Sequence, residues 1–383
     1  MDTPTTSRRR LLQLGAAALP LAALGSALPT AARAATAPSG ATLRMPAETD
    51  RHVRTFMAWP ALSSVWSHQL TGVRRDIARV ADTLSRYEPV VVLARPGQAA
   101  DARYLCGAGA YHGIEVLEIP NDDLWIRDFG PTFVVAPGAV AGVDTNFNGW
   151  GNKQTHANDA AAASTLLGQY GLPRVQAGFV GEGGSLETDG EGTLLATVSS
   201  LVNPNRNPGM SQDQVEQAMK AALGIDKVIW VPGLAGQDIT DCHIDCLARF
   251  VSPGHVILDQ PGPRTDAKWV AVYNETKRIL LGATDARGRS LTVTELPGPD
   301  RNNMRAGQGN SAFLASYTNY YTANGAVLVP QFGDPAADAT AYSVLQAAYP
   351  GRNVVQVNID FIAGGGGGIH CATQSQPVVP PVL

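Results

Sequence analysis

Charge is scarce in this chain. Only 16% of its 383 residues are Asp, Glu, Lys or Arg, and the 33 acidic residues outnumber the 29 basic ones. With no basic excess to neutralise phosphates, nucleic acid is excluded as a partner. Cysteine is rarer still, at four residues, so this is no small domain stapled by disulfides. Aromatic residues make up 7%, but 44% of the chain is hydrophobic, too much over this length for a disordered protein. Glycine (40) and proline (26) are plentiful yet follow no period, which excludes a collagen-like chain.

What is present begins with a leader. Residues 7–12 read SRRRLL, a weakly apolar run spans 11–28, and Ala32-Arg33-Ala34 has the small-x-small pattern of a cleavage site. The expectation is a twin-arginine-type signal over residues 1–34, a linker over 35–42 and one folded domain over 43–383, exported to the cell envelope, periplasm or exterior. Beyond residue 34 no apolar run approaches membrane length, so no membrane partner is expected after cleavage. Without residues 1–34 the chain carries 25 basic and 32 acidic residues, a net −7. An acidic protein suits a cationic substrate.

Helical and strand patterns alternate through the rest, an α/β sequence. Val73, Ile77, Val80, Leu84 and Tyr87 recur at helical spacing, and Val90–Ala94 reads as a buried strand. Ser211-x-x-Gln214 is a capping box opening a helix to Leu223, with Gly224 closing it. Lys227–Val231 is the next strand, and residues 247–258 form a hairpin around Ser-Pro-Gly. Five polar clusters sit just before apolar strands, at 125–128, 182–189, 241–245, 319–324 and 370–371. Five such clusters suggest five structural repeats whose functional groups converge on one axis.

Four segments carry chemistry. In GGGGGIHCATQSQP (364–377), Cys371 follows a glycine loop and is a candidate nucleophile, although an isolated Cys is more often an inert core residue. In DITDCHIDCLARF (238–250), His243 and Asp245 fall on one face if the segment is a strand, and together they can move protons. Cys242, His243, Asp245 and Cys246 are all metal-ligand types, but their spacing matches no common zinc pattern, so no metal is expected. In NDDLWIRDFGPTFVV (121–135), Asp122, Asp123 and Asp128 crowd Trp125, which suits a planar cation; the plainer reading is a turn with an Arg127–Asp salt bridge. Glu182 lies between glycines in GEGGSLETDGEG, and PNRNPG reads as a loop.

Together these segments resemble the agmatine deiminase and Porphyromonas-type peptidylarginine deiminase family. The resemblance rests on MPAE (45–48), MAWP (57–60), WIRDFGP, FNGWGNK, EGGSLETDGEGTLL, NPNRNPG, the His243-Ile-Asp245 pair, NYYTANGAVLVPQFGDP and the final IHCATQSQP. It implies a five-bladed α/β propeller of the pentein type, built from ββαβ repeats. It implies a cofactor-free hydrolase of small cationic guanidino compounds, and a homodimer. Carried over by position, Cys371 resembles the nucleophile and His243 the general acid/base. Asp128 and Asp245 are similar to the carboxylates that hold the guanidinium, and Glu182 to the acid beside the histidine. Trp125 would pack on the substrate, and Asp123 and Asp238 are candidates for its far amine. The chain departs from the family pattern at Thr49-Asp50, at Cys242 and Cys246, and in the unbroken glycine run. The alternatives are a peptidylarginine deiminase and a secreted agmatine- or arginine-binding protein without catalysis.

Overall fold

In the computed structural model, the structure describes residues 43–107 and 112–382. The leader and linker expected over 1–42 lie outside the described residues. Among those described, no helix is long and apolar enough to cross a membrane.

The strands form five sheets. Four share one plan: an antiparallel hairpin, a helix, and a third strand parallel to the second. These are β4 (Thr132–Ala136), β5 (Ala139–Asp144) and β6 (Arg174–Gln176); β7 (Glu187–Thr188), β8 (Thr193–Thr197) and β9 (Lys227–Val231); β10 (Ala248–Ser252), β11 (His255–Gln260) and β12 (Thr292–Pro297); and β13 (Tyr321–Ala323), β14 (Ala326–Pro330) and β15 (Asn353–Val357). The fifth takes its strands from both ends of the domain. β16 (Gln374–Pro377) pairs antiparallel with β1 (His52–Ala58), which pairs parallel with β2 (Val90–Ala94), and β3 (Ile114–Glu118) adds an outer strand. Five ββαβ units, one closed by the two chain ends, are the plan of the pentein fold.

Local chemistry explains the elements. All five residues of β2 are buried, because a central parallel strand is covered on both faces; hence its unbroken apolar run. The helix Gln212–Leu223 opens with both arms of its capping box, Ser211 Oγ accepting from the Gln214 amide and Gln214 Oε1 from the Ser211 amide. The helix Leu70–Leu84 buries Val73, Ile77, Val80 and Leu84, the stripe its sequence spacing predicts. The segment 242–246 is not a strand, the condition on which His243 and Asp245 would share one face. Asp241 (φ 61°) and Cys242 (φ 71°) are left-handed, and Ile244–Cys246 is a 3₁₀ turn. A strand cannot continue through two such residues.

The polar clusters now have one structural address. Each meets the strand that pairs antiparallel in its sheet: 125–128, 241–245 and 370–371 end shortly before β4, β10 and β16, while 182–189 and 319–324 begin before β7 and β13 and run through them. Equivalent positions in five units bring their side chains to a common centre.

Candidate active site

Cys371 lines a cavity of about 290 Å³ together with Asp128, Trp125, Trp150, Asp123, Trp66, Gln154 and the glycines 364–367. Its Sγ lies 3.6 Å from Asp245 Oδ2 and receives the Asn319 Nδ2–H at 3.3 Å. Asn319 Oδ1 also accepts from the Cys371 amide, so one side chain holds the residue at two points.

His243 precedes the 3₁₀ turn and is 1% exposed. Its Nε2 faces Glu182 Oε2 at 3.3 Å. Its Nδ1 has no hydrogen-bond partner and stands 3.6 Å from Asp128 Oδ1. Burial disfavours the imidazolium, but Asp128, Glu182 and Asp245 outweigh it and raise the pKa to about 9. Burial pushes the Asp128 carboxyl up to about 6, with Asp245 and Glu182 adding repulsion against the pull of His243. Asp128 Oδ1 accepts from the Gly184 amide and Oδ2 from Trp150 Nε1, which fixes its plane.

Asp245 is fully buried, yet its carboxyl is held well below the usual range. Burial is overcome by the His370 ring, whose Nδ1 is 2.7 Å away, and by the charges of His243 and Arg249. Glu182 is likewise buried but lowered, by His243 and by Arg206, whose Nε reaches both its oxygens at 2.8 and 3.1 Å. In the Cys371 thiol, the adjacent Cys246 S–H favours the thiolate, but burial and the Asp245 and Asp128 charges win and raise the pKa.

Two glycines shape these walls. A Cβ on Gly184 would sit 2.6 Å from His243 Nδ1 and 2.8 Å from Asp128 Oδ1. A Cβ on Gly367 would sit 2.2 Å from the Trp125 ring. Both positions require the missing side chain.

The structure therefore brings Cys371, His243, Asp245, Asp128 and Glu182 into one buried network, with Trp125 and Asp123 on the cavity wall. Asp123 is 1% exposed and accepts from Trp66 Nε1 and Gln154 Nε2. Asp238 is different. It is exposed, does not line the cavity, and spends Oδ1 on the amides of Thr240 and Cys242 and the Thr240 hydroxyl. A short acidic side chain beside left-handed residues is consumed by its own turn. Arg127 pairs with Glu48 rather than with a neighbouring Asp.

Sequence reasoning assigned no role to several residues here. Glu48, of the MPAE stretch, binds Arg127, Arg249 and His370. This half-buried hub holds His370, which in turn orients Asp245. Arg206, in what reads as a loop, joins Glu182 to Asp241. The signal available was unusual residue type: Arg206 between Asn205 and Asn207 in a turn segment, and Asn319 heading the fourth polar cluster. The four cysteines are free thiols. Among the described residues, the His/Cys/Asp/Glu group whose ligand atoms lie close enough for a metal is Asp245, Cys246 and Cys371, not the run 242–246.

The chain matches the family model described as Porphyromonas-type peptidyl-arginine deiminase over residues 44–377. It is 36% identical over 365 residues to the agmatine deiminase of Medicago truncatula, covering 88% of this chain and 96% of that one. It is 37% identical over 355 residues to the agmatine deiminase of Pseudomonas aeruginosa, covering 87% and 95%. The solved structure of the Enterococcus faecalis agmatine deiminase superposes with a TM-score of 0.83 at 30% identity, covering 90% of this chain and 98% of that one.

Proposed function

The chain belongs to the Porphyromonas-type peptidyl-arginine deiminase family and is a hydrolase of guanidino carbon–nitrogen bonds; from that premise we propose that it converts agmatine to N-carbamoylputrescine and ammonia through a covalent amidino-cysteine. The observation that carries this reading is the placement of Cys371, Asp128 and Asp123 on one cavity whose described lining holds no arginine or lysine. A guanidinium fits between the carboxylates of Asp128 and Asp245, with its carbon toward Cys371 Sγ. The far amine of agmatine suits the buried Asp123 carboxylate. Free arginine would bring an α-carboxylate to a wall whose described lining has no arginine or lysine to receive it.

The charges set the order of events. In the free site Cys371 is held as a thiol by burial and by the Asp245 and Asp128 charges. The incoming guanidinium adds a positive charge beside it and, with protonated His243, favours the thiolate. Cys371 Sγ attacks the guanidinium carbon. His243 Nδ1–H, free of any fixed partner, protonates the departing ammonia. Neutral His243 then takes a proton from water, which attacks the amidino carbon and expels the thiolate, leaving the ureido product. Glu182, braced by Arg206, holds Nε2 throughout.

Export in a folded state is part of the same proposal and rests on Arg8–Arg10, the apolar run and Ala32-Arg33-Ala34. Ammonia release measured in parallel on agmatine, free arginine and an arginyl peptide tests the substrate. Turnover of agmatine alone is expected. Citrulline from the peptide with no agmatine turnover reassigns the substrate, and binding of agmatine without ammonia release makes the protein a receptor.

A further inference from the structure

The proposed chemistry uses one thiol, and a second stands beside it. Cys246 closes the 3₁₀ turn, half-buried, with its Sγ 3.3 Å from Asp245 Oδ1 and 3.3 Å from Asn319 Nδ2. That same Asn319 nitrogen is 3.3 Å from Cys371 Sγ. The two sulfurs and an Asp245 oxygen all lie within 4.8 Å of one another. The other cysteines are placed differently. Cys106 ends the helix Ala99–Cys106, where burial pushes its thiol up to about 12. Cys242 packs in the apolar cluster of Ile229, Val231, Ile244 and Phe250.

We propose that Cys371 and Cys246 form a peroxide-driven, thiol-reversible disulfide, Cys371 being the oxidised nucleophile and Cys246 its resolving thiol. Cys371 opens to a cavity that admits small solutes. Its thiolate form, a minor fraction in the free site that the adjacent Cys246 S–H favours, attacks one oxygen of a hydroperoxide and breaks the O–O bond; with hydrogen peroxide the departing hydroxide takes up the proton the thiol released, giving a sulfenic acid and one water. Cys246 then attacks the sulfenic sulfur, forming the S–S bond and releasing a second water. Two thiols have lost two electrons and two protons, and the peroxide has been reduced to two waters. A disulfide needs sulfurs about 2.05 Å apart. One χ1 rotamer change moves a sulfur by roughly 3 Å, enough to close the gap between these two. The cross-link removes the nucleophile from use and keeps it from irreversible oxidation to sulfinic acid. An external thiol reopens it.

The proposal goes beyond the hydrolase reading, and its main readout is independent of any substrate. Reduced full-length protein is exposed to hydrogen peroxide, denatured and alkylated, and its mass and peptides are recorded. Loss of two alkylatable thiols is expected, with the Cys246 and Cys371 peptides joined and both thiols regained with dithiothreitol. Cys242 shares the Cys246 peptide, so Cys242→Ser is run alongside and keeps the link. In Cys246→Ser the expected product is Cys371 carrying two added oxygens, not reversed by dithiothreitol. Cys246→Ala repeats the measurement should the serine variant fold poorly. A link that survives loss of Cys246, or over-oxidised Cys371 beside alkylatable Cys246 in the unaltered protein, overturns the proposal. A link formed in a protein that releases no ammonia from any guanidino compound sinks the hydrolase reading and leaves this one standing.

Discussion

Gly184→Ala isolates the geometry of the proposed proton-transfer pair, His243 and Asp128. Gly184 does not adopt a left-handed backbone, so alanine meets no conformational penalty there. The penalty is spatial. The new Cβ falls 2.6 Å from His243 Nδ1, 2.8 Å from Asp128 Oδ1 and 3.0 Å from Asp245 Oδ2, where ordinary contact begins at 3.4 Å. His243 must therefore retreat by about 0.8 Å and Asp128 by about 0.6 Å, displacements of the size that cost about 10²-fold in rate. That corresponds to about 2.7 kcal/mol of lost transition-state stabilisation. Overpacking a buried site also costs about 1–3 kcal/mol of stability, so the assay is run well below the melting transition. Steady-state ammonia release from agmatine gives kcat/KM, and a thermal melt gives the fraction folded. Gly168→Ala is the control. It lies in the helix Asp159–Gln169 with nothing within 4 Å of the new Cβ, and should stabilise by about 0.5–1 kcal/mol with unchanged turnover. If folded Gly184→Ala keeps kcat/KM within about threefold of the parent, the Asp128–His243 spacing is not what catalysis depends on.

Other outcomes follow from the same network. The kcat/KM for agmatine should be bell-shaped in pH: below about 6 Asp128 protonates and loses its hold on the guanidinium, and above about 9 His243 loses the proton it donates. A profile without the acid limb removes Asp128 from substrate binding. Asp123→Asn should raise KM for agmatine roughly tenfold to a hundredfold with a smaller change in kcat, the loss of one charged hydrogen bond; an unchanged KM places the far amine elsewhere. Arg206→Ala strands the buried carboxylates of Glu182 and Asp241 and should destabilise the fold by about 3–5 kcal/mol, read by urea unfolding. Dialysis against a chelator should leave ammonia release unchanged, because thiol attack needs no Lewis acid; a stoichiometric zinc ion lost together with activity would refute the thiolate mechanism.

Local pattern made much of the scaffold legible. Val90–Ala94 and Lys227–Val231 coincide with β2 and β9, and Ser211 and Gly224 bound their helix, because burial period and capping are written within a few residues. The site was less evenly visible. Cys371 and His243 stand in distinctive segments, but the pairing of Glu48 with Arg127, Arg249 and His370 joins four distant stretches and leaves no local trace. Asp238 misled for the opposite reason: an acid near a functional segment looks like a ligand until the turn it caps is seen. The shared face of His243 and Asp245 was argued for a strand, and the segment is not one, because alternation in side-chain type does not report left-handed residues such as Asp241 and Cys242.

The pairing of β16 with β1 has a consequence for how the molecule is made. The strand that completes the first sheet emerges last during synthesis, and Cys371 lies three residues ahead of it. Four units can assemble while the ribosome is still extending the chain, yet the first sheet stays open and the proposed nucleophile is absent. Closing that sheet and bringing Cys371 to the cavity are thus one event, so on the proposed mechanism a nascent or C-terminally clipped protein should release no ammonia however well the rest of it has folded.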